Sequence, residues 1–263
     1  MKKRKGARLG QHFLTGAWAA ERLAHAAAAS EKETMIEIGP GKGALTEELL
    51  KTGASVIAIE KDPQLVGILN QKFGREIANG TLRIIEEDVR DIDPGELGLK
   101  NGDYTLAANI PYYITGEIIR QFLTAKVQPR AMALLVQKEV AERIIARDGK
   151  ESILSISVKA FGTPKIIAKV SRGNFSPPPS VDSAILLIEN VSRDSFEGMD
   201  EGLFFKIVRA GFASKRKFLS GNLAKAFGKE HSSQALKETG IDEKIRAEDL
   251  SLDMWKSLAK FLA

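Results

Sequence analysis

From residue 34 to about residue 137 the chain repeats one pattern, a short apolar run rich in β-branched residues followed by a run with apolar residues at helical spacing. The extended runs are 35–38, 55–59, 82–85, 104–108 and 132–136. Between the first of them lie 44–51 and 64–73, where Leu45 and Leu49, then Leu65, Ile68 and Leu69, mark helical faces. Alternation of this kind implies right-handed crossovers on a parallel, doubly wound α/β sheet. Two later runs, 165–170 and 184–188, are joined by a proline-rich loop instead of a helix and read as an antiparallel pair closing the sheet edge. The alanine run in "LAHAAAAS" reads as an N-terminal helix, and beyond the polar stretch 189–202 the pattern is helical to residue 263. The expected domains are therefore 1–190, an α/β unit with a basic N-terminal arm, and 191–263, a small all-helical unit. A chain of 263 residues, 43% apolar, is long enough for both.

The turn out of the first strand, "EIGPGKGALTEELL", places Gly39, Gly41 and Gly43 before a helix. Glycine there lets a ligand approach the backbone, and the helix N-terminus supplies unpaired N–H donors. With Ala44 in the last position the spacing also satisfies a dinucleotide fingerprint, so the loop alone leaves the ligand open. Two acids narrow it. Glu60 closes the second strand in "VIAIEKD", where a carboxylate accepts both ribose hydroxyls of a nucleoside cofactor. Asp88 closes the third in "IIEEDVRDI", placed to accept from an adenine amino group while the next N–H, of Val89, meets a ring nitrogen. Asp62, before Pro63, reads as a helix cap. A pocket for adenosine with a tail that is not phosphate suits S-adenosyl-L-methionine better than NAD.

At the end of the fourth strand stands "NIPYYITG", residues 109–116, on the same carboxyl edge as the glycine loop. Pro111 biases Ile110 toward extended geometry and removes a competing N–H, so the Ile110 carbonyl and the Asn109 amide oxygen make two neighbouring acceptors. Two acceptors holding the hydrogens of an exocyclic amino group turn its lone pair toward a methyl sulfonium, and Tyr112 stacks on the base to fix its plane. No strong general base is required, because the proton becomes acidic only as the methyl transfers. Tyr113 reads as packing. In "NFSPPPSVDSAILLI" the prolines stiffen a loop that carries Phe175, expected as an exposed ring over the other face of the base.

Charge points to the partner. The net charge of +5 says little, but five of the first eight residues are basic (Lys2, Lys3, Arg4, Lys5 and Arg8), and Lys215, Arg216 and Lys217 form a second block interleaved with Phe212, Phe218 and Phe227. Both blocks favour a polyanion. The absence of cysteine excludes disulfide, cysteine-zinc and thiol-nucleophile chemistry, and three scattered histidines give no metal spacing, so no metal is expected. No apolar run approaches the roughly 18 residues of a membrane span, and the basic start lacks the apolar segment of a signal peptide, so a cytoplasmic protein is expected.

"LGQHFL", "EIGPGKGALT", "VIAIEKD", "EEDVRDI", "NIPYYITG", "LLVQKEVAERI", "FSPPPSVDSA" and "SKRKFLSGNL" resemble, in this order, the small-subunit (16S) ribosomal RNA adenine N6,N6-dimethyltransferases, over nearly the whole chain from Arg8 onward. The resemblance implies a Rossmann-like class I S-adenosylmethionine-dependent methyltransferase fold. It also implies a reaction that dimethylates two adjacent adenosines near the 3′ end of small-subunit rRNA. Within the family pattern the cofactor contacts fall on His12, Leu14, Gly39, Glu60, Asp88 and Asn109, with Gln11 helping to close the pocket. The chain departs from the pattern at His12, often asparagine in the family, and at Gly221, which precedes Asn222 where two asparagines are common. The expected partner is small-subunit rRNA, within an assembling subunit, and the enzyme is expected to act as a monomer.

Three other readings compete. Large-subunit rRNA adenine methyltransferases of the macrolide-resistance type share the glycine loop and the Asn-x-Pro-Tyr motif, but resemble Glu-Ile-Gly-Ser-Gly where this chain has Pro40, and lack a segment like "SKRKFLSGNL". A non-catalytic nucleic-acid-binding factor on the same fold would not need Glu60, Asp88 and Asn109 intact. An NAD-dependent oxidoreductase would need a hydride-transfer residue, for which the sequence offers no candidate.

Overall fold

The structure, a computed structural model, describes residues 12–28 and 33–263, so Gln11 and the basic residues Lys2, Lys3, Arg4, Lys5 and Arg8 lie outside the described residues. Two compact units form, one from the described residues up to Ala141 with Thr163–Ser192, the other from Glu142–Gly162 with Arg193–Ala263.

The strands are β1 (Phe13–Leu14), β2 (Thr34–Ile38), β3 (Ser55–Glu60), β4 (Leu82–Glu86), β5 (Tyr104–Asn109), β6 (Ala131–Gln137), β7 (Thr163–Val170), β8 (Phe175–Ser176) and β9 (Ser183–Glu189). Seven of them make one sheet in the order β4-β3-β2-β5-β6-β9-β7, while β1 and β8 pair separately. The first five of that order run parallel, and β9 is antiparallel to both β6 and β7, as the proline-loop connection implied. Helices α1 (Ala17–Ala27), α2 (Ala44–Lys51), α3 (Pro63–Lys72), α4 (Gly74–Ala78) and α5 (Thr115–Thr124) complete this unit. The Asp62 side chain caps α3 by accepting from the Gln64 N–H at 2.9 Å, with Pro63 at the first helical position. Met35, Ile36, Leu106, Ala107 and Leu134 are buried in the central strands, which is why these runs read as continuously apolar.

The chain order reverses between β2 and β5. From β2 the sheet continues through β3 and β4 on one side and through β5 and β6 on the other, which opens a crevice at the carboxyl ends of the two strands. Ile38 is level with Ala108, so the glycine loop leaves β2 beside Asn109.

Helix α6 (Lys138–Ile144) carries the chain out of the first unit, and the second is built from α7 (Ile153–Phe161), α8 (Glu201–Gly211), α9 (Leu219–Phe227), α10 (Lys229–Glu238) and α11 (Leu252–Leu262). The expected single boundary at residue 190 is therefore corrected, because α7 belongs with the C-terminal helices. The Phe161 ring packs on Phe196 and Phe205 at 5.1 and 5.9 Å between centroids, and the Glu151 N–H donates to the Glu248 carbonyl at 2.7 Å. Burial of these rings outweighs proximity in sequence.

In this unit the loop between α8 and α9 carries Lys215, Arg216 and Lys217, all exposed. It is held from beneath by Asn222, whose buried amide donates to the carbonyls of Gly211 (2.6 Å) and Ser214 (3.1 Å). A Cβ added to Gly211 would lie 2.3 Å from the Trp255 ring. Gly211→Ala should therefore destabilise the protein by about 1–3 kcal/mol through overpacking, read as a lower urea midpoint at unchanged slope.

Candidate active site

Gly39, Gly41 and Gly43 have φ of +65°, +59° and +79°. Two of these are also closely approached by side chains. A Cβ on Gly43, the N-terminal cap of α2, would meet the Phe73 ring at 2.4 Å, and one on Gly41 would meet Phe13 at 3.0 Å. The loop so shaped brings the Gly41 N–H to Glu60 Oε2 (3.2 Å), while the Asp62 N–H donates to Oε1 (3.0 Å). Glu60 is thereby fixed at the end of β3 by one backbone donor on each oxygen, with lone pairs remaining on both.

Asp88 follows β4 and caps the short 3₁₀ turn Val89–Asp91 through the Arg90 N–H (3.1 Å). Its carboxylate is also gripped by the Arg90 guanidinium, Nε to Oδ1 at 2.9 Å and a terminal nitrogen to Oδ2 at 2.6 Å, with Lys61 at 3.7 Å. These bonds hold the Asp88 carboxyl well below the usual carboxylate range. A bidentate guanidinium uses one edge of the carboxylate and leaves it able to accept further donors.

Asn109 is the last residue of β5, and its Nδ2 donates to the His12 carbonyl at 3.0 Å. That bond fixes which end of the amide is oxygen and turns Oδ1 away from the His12 carbonyl. Pro111, at φ −54°, starts the 3₁₀ turn Tyr112–Ile114. The Tyr112 hydroxyl bonds Ser183 Oγ at 2.7 Å, and its ring lies 5.8 Å from the His12 ring at 30°. Burial holds this phenol above its ordinary pKa.

Two aromatic expectations are corrected. Phe175 is only 4% exposed, its ring packed in the core with residues that include Leu14, Leu23 and Ile185, because its strand β8 pairs with β1 and turns it inward. Tyr113, read as packing, is instead 64% exposed, since the 3₁₀ turn points it away from the core.

One cavity is lined by His12, Leu14, Gly39, Gly41, Glu60, Asp88, Val89, Asn109, Ile110, Pro111 and Tyr112. Phe175 is not among its lining residues. Phe13, Lys42, Arg90, Tyr113 and Glu37 line it too, and sequence reasoning had not placed them there. Glu37 is the most unusual. It sits in β2, 1% exposed, with Oε2 making no hydrogen bond among the described residues. Burial, with the charge of Glu60 adding to it, pushes this carboxyl up to about 8. A spacing rule does not detect it; the only signal is an acid inside an otherwise apolar strand, "TMIEI".

A deep cleft at the switch point, with a glycine turn, two fixed carboxylates and an oriented amide beside an aromatic ring, suits a nucleoside cofactor next to a second planar substrate. The model of the ribosomal RNA adenine dimethylase family matches residues 2–263. The chain belongs to that family. The ribosomal RNA small subunit methyltransferase A of Dehalococcoides mccartyi is 44% identical over 260 residues, covering 98% of this chain and 88% of the relative. Among solved structures, a dimethyladenosine transferase from Plasmodium falciparum superposes with a TM-score of 0.80 at 26% identity, over 94% of this chain and 96% of that one. The 23S rRNA methyltransferase ErmE shares the fold, with a TM-score of 0.77 at 22% identity over 95% of this chain and 99% of its own. Membership accounts for the sheet with antiparallel edge strands, expected from sequence as a class I methyltransferase fold.

The state of Glu37 gives a prediction. A folded pKa of about 8 against an ordinary 4.5 means that the folded protein keeps a proton that the unfolded chain has lost. Stability therefore falls as pH rises through that window and levels off above it. Glu37→Gln should remove the loss, so the Tm difference between variant and parent should grow steadily from pH 5 to pH 8.5 in thermal unfolding of the cofactor-free protein.

Proposed function

We propose that this protein transfers methyl groups from S-adenosyl-L-methionine to the N6 amino groups of two adjacent adenosines near the 3′ end of 16S rRNA, as a cytoplasmic monomer acting on the assembling small subunit. The observation that carries this reading is the oriented Asn109 amide, set at the switch point in the same cavity as Gly39, Glu60 and Asp88. When bound, the donor supplies an electrophilic methyl on a sulfonium. Glu60 accepts the ribose hydroxyls on the lone pairs its two backbone donors leave, and Asp88 accepts the donor's adenine amino group beside the Val89 N–H. Gly39 and Gly41 admit the remainder against the backbone, and Leu14 packs on it.

Asn109 Oδ1 and the Ile110 carbonyl hold the hydrogens of the target amino group and so aim its lone pair, while Tyr112, fixed by Ser183, stacks on the base. Lys215, Arg216 and Lys217 contact backbone phosphates and add affinity without choosing the base. The basic N-terminal arm, Lys2, Lys3, Arg4 and Lys5, has the same role in this reading.

Mass mapping of methylated adenosines in both ribosomal RNAs, with and without the protein, tests the assignment. Marks at adjacent small-subunit adenosines support it, and marks confined to 23S rRNA reject it in favour of a macrolide-resistance type of activity. Asn109→Ala should lower the single-turnover rate by about two orders of magnitude at saturating donor and RNA, with a smaller change in donor affinity. Replacing Lys215, Arg216 and Lys217 together by alanine should weaken RNA binding and flatten the slope of log affinity against log salt by about 2 to 3, as the loss of up to three phosphate contacts requires.

A further inference from the structure

His12 is joined to the catalytic end of β5 by its backbone and to the proline loop by its ring. Its carbonyl accepts from Asn109 Nδ2 at 3.0 Å, and its Nδ1 lies 2.8 Å from the Pro177 carbonyl. A carbonyl only accepts, so Nδ1 carries the hydrogen.

The register explains why both bonds arise at one residue. In the β1/β8 ladder Phe13 faces Ser176 and Leu14 faces Phe175, which puts Pro177 opposite His12. The Thr15 N–H donates to the Asn174 carbonyl, and since bonded and unbonded rungs alternate in an antiparallel ladder, His12 and Pro177 meet at an unbonded rung where the His12 carbonyl is directed away from β8. That carbonyl is left for the Asn109 amide. The cross-strand bond missing at this rung is supplied by the imidazole instead. Further along, the N–H groups of Thr15 and Gly16 both donate to the Asn174 carbonyl, at 2.8 and 3.2 Å, so β1 is tied firmly at one end and by the His12 ring at the other.

We propose that His12 is a positioning residue for the methyl transfer: its ring fastens the end of β1 to Pro177, and so keeps its own carbonyl where it holds the Asn109 amide with Oδ1 facing the target base. This rests on the role given to Asn109 above. It differs from the contact with the donor that family resemblance implies for this position, because the ring is already engaged with Pro177 and lies against Tyr112. Asparagine is the natural substitute, since its side-chain N–H can take the place of Nδ1–H.

The test uses His12→Ala, His12→Asn and Asn109→Ala. In the donor-free protein, the exchange of the Asn109 side-chain amide hydrogens, followed by NMR with labelled asparagine, should be slow in the parent, faster in His12→Ala and slow again in His12→Asn. At saturating donor and RNA, His12→Ala should lose about tenfold to a hundredfold in single-turnover rate, the size of effect that a displacement of about 1 Å produces. Its calorimetric donor affinity should stay near the parental value, and His12→Asn should recover most of the rate. The inference is overturned if His12→Ala keeps the parental rate and exchange, if its whole defect is weaker donor binding, or if His12→Asn is no better than alanine. Asn109→Ala separates the two layers. A dead Asn109→Ala beside a fully active His12→Ala rejects only the positioning role, whereas a fully active Asn109→Ala rejects the account of catalysis itself.

Discussion

The pairing of β2 with β5 is the constraint on which the site depends. Both strands are parallel and central, and each is followed by a turn that must leave the sheet at the same edge. Because the strands around them connect outward in opposite directions, no crossover helix covers the space above their ends. The glycine loop and Asn109 are therefore neighbours by register, with Ile38 level with Ala108, before any side-chain contact is made. The remaining parts arrive from the next strands: Glu60 from β3, Asp88 after β4, and Ser183, which fixes Tyr112, from β9.

Four acids line the cavity, and three of them, Glu37, Glu60 and Asp88, have different environments. Glu60 is met by two backbone N–H groups and Asp88 by the Arg90 fork, while Glu37 Oε2 has no donor among the described residues. The charged form is favoured at Asp88 and disfavoured at Glu37, although both acids line the same cavity. Burial is the largest cause at Glu37, whereas at Asp88, which is only part-buried, the Arg90 hydrogen bonds are. Placing one neutral carboxyl among the three also reduces repulsion with Glu60, which a fully ionised trio would suffer in a poorly screened site.

Most of the sheet was legible because continuous apolar runs between glycines and prolines leave little choice of structure or edge. Glu60, Asp88 and Asn109 were legible for the same reason, each standing where a run ends. What escaped were features set by tertiary packing. The two-residue strands β1 and β8 are too short to give a periodic signal, and their pairing is what buries Phe175. The apolar face of α7 does not announce which core it joins, and contacts far away in sequence, with the rings of Phe196 and Phe205 and from Glu151 to Glu248, decide its allegiance. Arg90 grips Asp88 from two residues away because the intervening turn is 3₁₀, and the exposure of Tyr113 follows from a similar turn.

Two carbonyls near the switch point escape the strand ladders for different reasons. The His12 carbonyl stands at an unbonded rung of the β1/β8 ladder, and Pro111 has no N–H to compete for the acceptors at the end of β5. At a sheet edge an unpaired carbonyl is normally taken by the next donor in line. Here one of the two holds the Asn109 amide, and in the proposed reaction the other, on Ile110, is left for substrate. A strand register and an Asn-x-Pro-Tyr turn, far apart in sequence, thus serve one end: they reserve backbone acceptors that the fold would otherwise consume.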